Sequence, residues 1–262
     1  MSRPYLKDAQ KILAIMRNLQ NAQTYVEVDE TSFSHLDLQA YRQIGDTLKT
    51  FGFEYLVDLE LVELSTSATV LFKPTMVRVY TSADGYISVA HYQLKPRLDR
   101  LIPLLIKGVL NLRLLAAPLF FLSQLPTRNY FDVETEYDDG SFQLTSNASE
   151  AGHLSQAPTV HATYFSRTSN FETLLTHHKT ELSKHLASGA KATVIKTLVQ
   201  QRQMQHRLKQ VKDAHRIAIN WISEPEMHSL GSNKELSDAL MEEVRRLLDE
   251  ESRKTPSETN GT

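Results

Sequence analysis

Three side chains between residues 178 and 185 have the types and the spacing of a metal site. If this segment is helical, His178, Glu181 and His185 share one face, because residues three, four and seven apart lie above one another on an α-helix. Imidazole and carboxylate groups in this arrangement can bind a divalent metal ion. The chain has no HExxH motif, however, and the segment is rich in polar residues at exposed spacing. A solvated helix face is therefore the better interpretation, and we expect no metal ion.

Other catalytic or cofactor-binding patterns are weak in this sequence. Asp138 and Asp139 are adjacent at a turn, where aspartate is favoured because its side chain bonds the nearby backbone. Ser146 stands in no GxSxG nucleophile pattern, and the chain has no GxGxxG motif and no P-loop. It also has no cysteine, which excludes disulfides, thiolate nucleophiles and cysteine-bound zinc. We expect no cofactor, and the sequence leaves open whether the protein is an enzyme.

The charge balance gives no support to nucleic acid as a partner. The 262 residues include 29 basic and 31 acidic side chains, a formal net charge of −2. One predicted helix, from Lys191 to Ile222, is rich in basic residues, but such a run is more often the wet face of an amphipathic helix. Its basic residues are Lys191, Lys196, Arg202, Arg207, Lys209, Lys212 and Arg216.

The most apolar stretch, from Leu101 to Leu125, bears on where the protein acts. As a helix of about 37 Å it is long enough to span the roughly 30 Å hydrocarbon layer. A simple span is disfavoured, because Lys107 and Arg113 would lie near the middle of the membrane and Pro118 would kink the helix. Two alternatives stay open: a peripheral or re-entrant membrane helix, and a helix buried on the sheet of a soluble fold.

The residues predicted to contact a membrane surface or a protein partner belong to this stretch. Basic side chains would reach toward lipid phosphates, and the leucines and phenylalanines would enter the apolar layer. The predicted contact residues are Arg100, Lys107, Arg113, Leu104, Leu105, Leu114, Phe120 and Phe121.

Two predicted hairpins are the clearest signals of local structure. Each has an Asp-Gly pair between alternating apolar and polar residues, at Asp84-Gly85 and at Asp139-Gly140. In the first, a three-residue loop would align Val77, Val79, Ile87 and Val89. In the second, a two-residue loop would place on one face Phe131, Val133, Tyr137, Phe142 and Leu144.

Strands in the first part of the chain and helices in the last part predict an α+β fold. In this fold, helices pack against an antiparallel sheet of hairpins, and a C-terminal helical segment follows the sheet. The predicted domains are residues 1–167, an α+β domain containing the apolar helix 101–125, residues 168–252, a helical segment, and residues 253–262, a disordered tail. The N-terminus is typical of an amphipathic helix and not of a signal peptide, so we expect a protein in the cytoplasm or at the inner face of the membrane.

The stretch YDDGSFQLTSNASEAG, followed by a proline-containing link and LLTHHKTEL, resembles a pattern in uncharacterised bacterial proteins. In that pattern an Asp-Gly turn leads to Phe and then to a Thr-Ser-Asn run, and a histidine-containing helix follows. The matching residues here are Asp139, Gly140, Phe142, Thr145, Ser146 and Asn147, then His177 or His178. The resemblance implies a bacterial source and no known activity, so it assigns no catalytic residue.

These observations favour a non-enzymatic protein that associates with a membrane or acts as a scaffold. Its apolar helix would engage lipid or a partner protein, and its C-terminal helices would offer a second interaction surface. The alternative is a soluble enzyme or a small-ligand-binding protein with its site in a pocket of the sheet. The sequence does not indicate the oligomeric state.

Overall fold

A computed structural model describes residues 3–18, 24–62, 72–97, 129–148, 154–230 and 234–254. The chain forms two compact units. The first consists of residues 1–21, 153–157 and 209–262, and the second of residues 22–152 and 158–208. The predicted division at residue 167 stays a prediction.

The second unit is built around a seven-stranded sheet in which the strands follow one another in chain order. Neighbouring strands are antiparallel, except that the last two are parallel. The strands are β1 (Tyr25–Glu27), β2 (Phe53–Leu61), β3 (Met76–Ser82), β4 (Ser88–Gln93), β5 (Asn129–Glu136), β6 (Phe142–Ser146) and β7 (Val160–Tyr164). The described α-helices of the chain are α1 (Leu6–Asn18), α2 (Leu38–Thr50), α3 (Phe171–Ala187), α4 (Leu198–Ala218), α5 (Glu224–Leu230) and α6 (Lys234–Lys254). The predicted α+β class, with an antiparallel sheet and C-terminal helices, is confirmed.

Both Asp-Gly turns lie where the sequence predicts them, but both loops are one residue longer than predicted. Gly85 and Gly140 have φ values of +81° and +80°, which glycine adopts without the strain of a side chain. In the β5–β6 turn, Asp139 accepts hydrogen bonds from the backbone and the hydroxyl of Ser141, and a three-residue loop results. In the β3–β4 turn the hydroxyl of Ser82 accepts from the backbone of Ile87, and a four-residue loop results.

This difference in loop length reverses the predicted faces, because a slip of one residue moves a side chain to the other side of a sheet. Val79 pairs with Ala90, and Tyr80 pairs with Val89, so the predicted alignment of Val79 with Val89 is wrong. In the second hairpin, Phe142 lies opposite Glu136 and shares its face, whereas Tyr137 belongs to the other face. The predicted grouping of Tyr137 with Phe142 is therefore also wrong.

One face of the sheet, which we call the packed face, is covered by α2 and α3. The buried cluster on this face joins side chains of both helices to side chains of β2 to β5 and the turns. Its members are Leu48, Phe53, Tyr80, Ile87, Val89, Phe131, Val133, Tyr137, Phe171, Leu174, Leu175 and Leu182. The N-cap of α2 is Asp37, whose carboxylate accepts a hydrogen bond from the backbone of Ala40.

The opposite face, which we call the cavity face, carries a smaller cluster of Val57, Leu59 and Val79, against which Leu198 of α4 packs. The predicted basic helix begins only at Leu198. Before it, Thr193 donates to the backbone of Glu136 at the end of β5, and Ile195 donates to the backbone of Gly85 in the β3–β4 turn. This segment therefore joins the start of α4 to the turns of the sheet.

The first unit is helical, and its core lies among α1, α5 and α6. The buried side chains are Ala9, Leu13, Ile222, Met227, Met241 and Val244. Arg3 of the N-terminal segment pairs with Glu243 of α6, and Arg17 pairs with Glu251. Among the residues that the structure describes, no helix is both long enough and apolar enough to cross a membrane.

Candidate functional site

The residues predicted to contact a membrane or a partner all lie outside the described part of the chain. Arg100, Lys107 and Arg113, with Leu104, Leu105, Leu114, Phe120 and Phe121, fall between residues 98 and 128. Their contact with lipid or protein stays a prediction.

The three residues with metal-site spacing do not converge on one point. His178 is fully buried, with Nε2 2.9 Å from the hydroxyl of Thr135 and Nδ1 3.0 Å from the hydroxyl of Thr145. Glu181 pairs with Lys184, and the ring of His185 stacks on Tyr137 at 4.8 Å. Within the described ranges there is no group of three or more histidine or acidic side chains placed to hold a metal ion.

The prediction that this whole helix face is solvated is wrong for His178. Burial lowers the pKa of His178 to about 3, because the interior disfavours the charged imidazolium, and the nearby His177 acts in the same direction. The ring is therefore neutral, so it has one donor and one acceptor nitrogen, and each can bond a threonine hydroxyl. Gln143 also donates to the backbone carbonyl of His178, at 2.8 Å. This is a satisfied structural network between α3 and the sheet.

The other predicted candidates have structural partners as well. The carboxylate of Asp138 accepts from the backbone of Lys191, at 3.1 Å. The hydrogen bonds from Ser141 lower the pKa of Asp139. Ser146 is buried, and its hydroxyl accepts from the backbone of Ala148. These contacts agree with the interpretation of the aspartates as turn residues.

A cavity of about 310 Å³ on the cavity face is the best candidate for a functional site. Strands β1 to β5 and helix α4 all contribute to its lining. The lining includes Tyr25, Leu59, Thr75, Val77, Val79, Ala90, Tyr92, Leu94, Asp132, Glu134, Gln201 and Gln205. All of these residues belong to the second unit.

The floor of the cavity is apolar, because alternate residues of neighbouring strands point to the same side of the sheet. Leu59 of β2 pairs with Val77 of β3, and Val79 pairs with Ala90 of β4. These cross-strand pairs place a continuous apolar surface over three strands. The backbone hydrogen bonds of the sheet hold it in position.

One wall of the cavity is acidic. Asp132 and Glu134 alternate along β5, where Asp132 pairs with Ala90 and Glu134 pairs with Ser88. Gln205 of α4 donates to the carboxylate of Glu134, and Ser88 donates to the side-chain oxygen of Gln201, at 2.9 Å. Gln201 and Gln205 are four residues apart, so both reach the sheet from one face of α4.

Tyr92 is hydrogen-bonded to Asp132 at this wall. Burial raises the pKa of Tyr92 well above its usual value, and the charge of Asp132 acts in the same direction. Tyr92 therefore keeps its hydroxyl proton at neutral pH. Farther along β5, Glu136 forms an ion pair with Arg207 of α4.

Comparison of the chain with family models, with curated proteins and with solved structures finds no match. The resemblance to uncharacterised bacterial proteins stays a prediction. The assignment of a function therefore depends on the geometry of the chain itself.

Sequence reasoning did not find the cavity, although one signal pointed to it. In β5, acidic residues occupy every second position from Asp132 to Glu136. The first two alternate with the apolar residues Phe131 and Val133. An alternating acidic row is usually solvated, but here Glu134 and Glu136 are buried beneath α4. Because α4 lies far from β5 along the chain, its packing on this row was not evident from the sequence.

The sequence patterns also did not predict a second polar arrangement, which lies in the first unit. The hydroxyl of Ser155 lies 2.8 Å from Nε2 of His215, which is the geometry of a nucleophile and its base. The backbone N–H of Ser155, however, donates to Glu226, and Arg216 bonds both Glu226 and the carbonyl of Ser155. An amide that is already bonded to a carboxylate cannot stabilise an oxyanion at the same serine. The network is better explained as a clamp on residues 154–157.

Proposed function

We propose that the protein binds a small, largely apolar molecule in the cavity on the cavity face of the sheet. The observation that carries the proposal is the cavity itself, about 310 Å³ in volume, with an apolar floor beside a few polar groups. Ligand sites typically combine these two features in a volume of about 300 to 1,000 Å³. The cavity is near the lower end of that range, which favours a compact ligand.

The space is large compared with ordinary packing gaps in a protein interior. It is far larger than the roughly 10–15 Å³ of cavity volume that a single water molecule requires. Apolar side chains that line an open cleft are in contact with water, which is unfavourable. A ligand that fills the space would release this water from Leu59, Val77 and Val79.

The lining is held by regular structure, which supports a preformed site. The floor lies on paired strands, and Gln201 and Gln205 lie on a helix that bonds to the sheet at Ser88 and Glu134. A rigid site loses little conformational entropy when a ligand binds. Binding is thus expected without large rearrangement of the sheet.

The proposal is tested by filling the cavity with a side chain. The substitution Ala90→Leu adds three carbon atoms at the centre of the floor, and Ala14→Leu makes the same change at an exposed position of α1. The fluorescent probe N-phenyl-1-naphthylamine, which is uncharged at neutral pH, should bind the wild type and Ala14→Leu saturably, with one site per chain. Ala90→Leu should lose this binding.

A second measurement needs no substitution in the cavity. The probe should shift the methyl NMR signals of Leu59, Val77 and Val79 in the wild-type protein and leave those of Leu174 and Leu182, on the packed face, in place. Equal binding by Ala90→Leu and the wild type, or shifts confined to other methyl groups, would contradict the proposal.

Membrane or partner contact through residues 101–125 stays a separate prediction with its own test. If it holds, the full chain should remain with the membrane fraction after a low-salt wash and leave it with detergent. Recovery of all the protein in the wash would contradict it.

A further inference from the structure

We infer that two copies of this chain pair along their β7 strands and so join their sheets edge to edge. The inference concerns the edge of the sheet and does not depend on ligand binding in the cavity. It follows from the backbone groups that β7 directs outward, from the order of its side chains and from the position of α3.

One row of backbone groups in β7 faces away from β6. The backbone N–H of Phe142 donates to the carbonyl of Thr159, at 2.8 Å. The N–H of Phe165 donates to the carbonyl of Ser146, at 2.7 Å. Because backbone groups alternate in direction along a strand, the odd-numbered residues of β7 bond to β6 and the even-numbered residues point outward. The outward groups belong to Val160, Ala162 and Tyr164. Within the described ranges, no hydrogen bond reaches these outward groups.

Strand β7 lacks the features that usually protect the edge of a sheet. Edge strands are often very short, or they carry a lysine, a proline or a bulge that blocks pairing with another chain. The strand at the other edge, β1, has three residues, whereas β7 has five in unbroken register with β6. The sequence of β7, VHATY, contains no lysine, no proline and no acidic residue. Its outer edge is therefore suited to pairing with a further strand.

The order of side chains in β7 fits a second copy of the same strand. We place a two-fold axis at Ala162, so that two β7 strands pair in antiparallel fashion. Val160 of each copy then lies opposite Tyr164 of the other, which is a favourable pair of a β-branched and an aromatic side chain. His161 lies opposite Thr163, so no two like charges meet. Each outward N–H of one copy meets an outward carbonyl of the other, as a symmetric contact requires.

Helix α3 leaves room for this contact. The ring of His178 lies between Thr135 of β5 and Thr145 of β6. The ring of His177 lies 3.2 Å from the hydroxyl of Thr163 of β7. The helix therefore runs above β6. At about 4.8 Å per strand, the α3 helices of two paired copies are about 14 Å apart, which exceeds the 8–10 Å of packed helices.

The first test measures the association of the full chain. Analytical ultracentrifugation should show a reversible equilibrium between monomer and dimer, with more dimer as the concentration is raised. Ala162→Pro removes an outward N–H that β6 does not use, and an edge strand accepts proline at such a position. Because both copies lose a hydrogen bond between the strands, this variant should dimerise about tenfold or more weakly.

The matched control places proline in the other edge strand. The N–H of Val28 donates to the carbonyl of Asp58, at 3.0 Å, so the N–H of the preceding residue, Glu27, points outward from β1. Glu27→Pro should therefore leave the association unchanged. Circular dichroism shows whether both variants keep the fold of the wild type.

A second test reads the register directly and needs no proline, because the chain has no native cysteine. Residue 161 of one copy and residue 163 of the other would form a non-hydrogen-bonded pair, with Cα atoms about 4.5 Å apart. This distance permits a disulfide. An oxidised mixture of His161→Cys and Thr163→Cys should therefore give a covalent dimer on a non-reducing gel. Either variant alone should give much less, because its own cysteines would be about 8 Å apart at residue 161 or at residue 163.

Three results would overturn the inference. The first is a chain that stays monomeric at every concentration at which it is soluble. The second is a dimer that a folded Ala162→Pro retains at the affinity of the wild type. The third is a mixture of the two cysteine variants that forms no more disulfide than either variant alone. None of these results bears on the proposed ligand site, which the probe and the Ala90→Leu variant test separately.

Discussion

On the packed face of the sheet, α2 and α3 cover the strands with large side chains, whereas on the cavity face the strands and α4 border a space of about 310 Å³. The packed face also contains polar groups, such as His178, Arg78 and Asp58, but protein partners surround them. On the cavity face, Asp132 and Glu134 also have protein partners, among them Tyr92 and Gln205, but both line the space as well. The contrast is between a face that large side chains fill and a face that leaves a space, in which we propose that a ligand binds.

The largest effect is expected from the ion pair of the packed face. Arg78 donates two hydrogen bonds to Asp58, of 2.7 and 2.6 Å, and both side chains are at least nine-tenths buried. The substitution Asp58→Ala leaves a buried guanidinium with one carboxylate fewer, which should lower the free energy of unfolding by about 3–5 kcal/mol. Urea denaturation measures the loss.

The neighbouring pair of Arg42 with Glu30 provides the control. The Arg42 side chain is 64% exposed, so Arg42→Gln should change the stability by less than about 1 kcal/mol. Equal losses for Asp58→Ala and Arg42→Gln would show that burial does not set the strength of pairing on this face.

The next prediction compares the two faces through the size of a side chain. Leu174 of α3 is fully buried, and Leu174→Ala should cost about 2–5 kcal/mol, because it leaves a hole in a close-packed cluster. Ala90→Leu adds volume to the cavity face, a change that in a packed core costs about 1–3 kcal/mol. Because the cavity can take the added carbons, we expect a cost below about 1 kcal/mol. Thermal and urea unfolding of both variants measure this, and a large loss for Ala90→Leu would mean that the space is not available.

A smaller effect should appear in the pH dependence of the packed face. The pKa of His178 is about 3 in the folded chain and 6.5 in the reference state. Between these values the unfolded chain binds a proton that the folded chain does not, so the stability contributed by neutral His178 is complete above about pH 6.5 and is lost progressively toward pH 3. At pH 5 the loss amounts to about 2 kcal/mol.

The substitution His178→Asn removes this titration. The wild type should lose about 2 kcal/mol more stability than His178→Asn between pH 7 and pH 5. Leu174→Ala, which destabilises the same face and keeps the histidine, should show the pH dependence of the wild type. Parallel stability curves for the wild type and His178→Asn would contradict a neutral buried His178.

The smallest effect concerns the turns that set which side chains reach each face. Gly85 and Gly140 both have positive φ, so replacement by alanine should cost each turn about 1 kcal/mol. A Cβ atom at Gly85 would also lie 2.9 Å from Val194, whereas nothing lies within 4 Å of one at Gly140. Gly85→Ala should therefore have the lower melting temperature of the two. A lower melting temperature for Gly140→Ala than for Gly85→Ala would indicate that the segment before α4 does not pack against the β3–β4 turn.

Local signals were sufficient to predict much of the fold. The α+β class and the positions of the two Asp-Gly turns follow from alternation, helical spacing and glycine at positive φ. These features depend on residues close together in the chain. For the same reason Asp138 and Asp139 could be recognised as turn residues.

Loop length and face were decided by contacts that spacing alone does not specify. The hydroxyl of Ser82 bonds the backbone of Ile87, and this bond accompanies a four-residue loop that sends Val79 and Val89 to opposite faces. Several loop lengths are compatible with an Asp-Gly pair, and each gives a different register. The predicted faces were therefore wrong although the turns were in place.

The cavity itself depends on tertiary structure. It forms only when the apolar rows of β2 to β4, the acidic row of β5 and the glutamines of α4 meet, and these segments are far apart in the chain. In the sequence, Asp132 and Glu134 have the pattern of a solvated strand face, and Gln201 and Gln205 have that of a wet helix. These side chains are buried together because α4 packs on the sheet. That contact joins segments far apart in the chain, so short-range sequence patterns do not predict it.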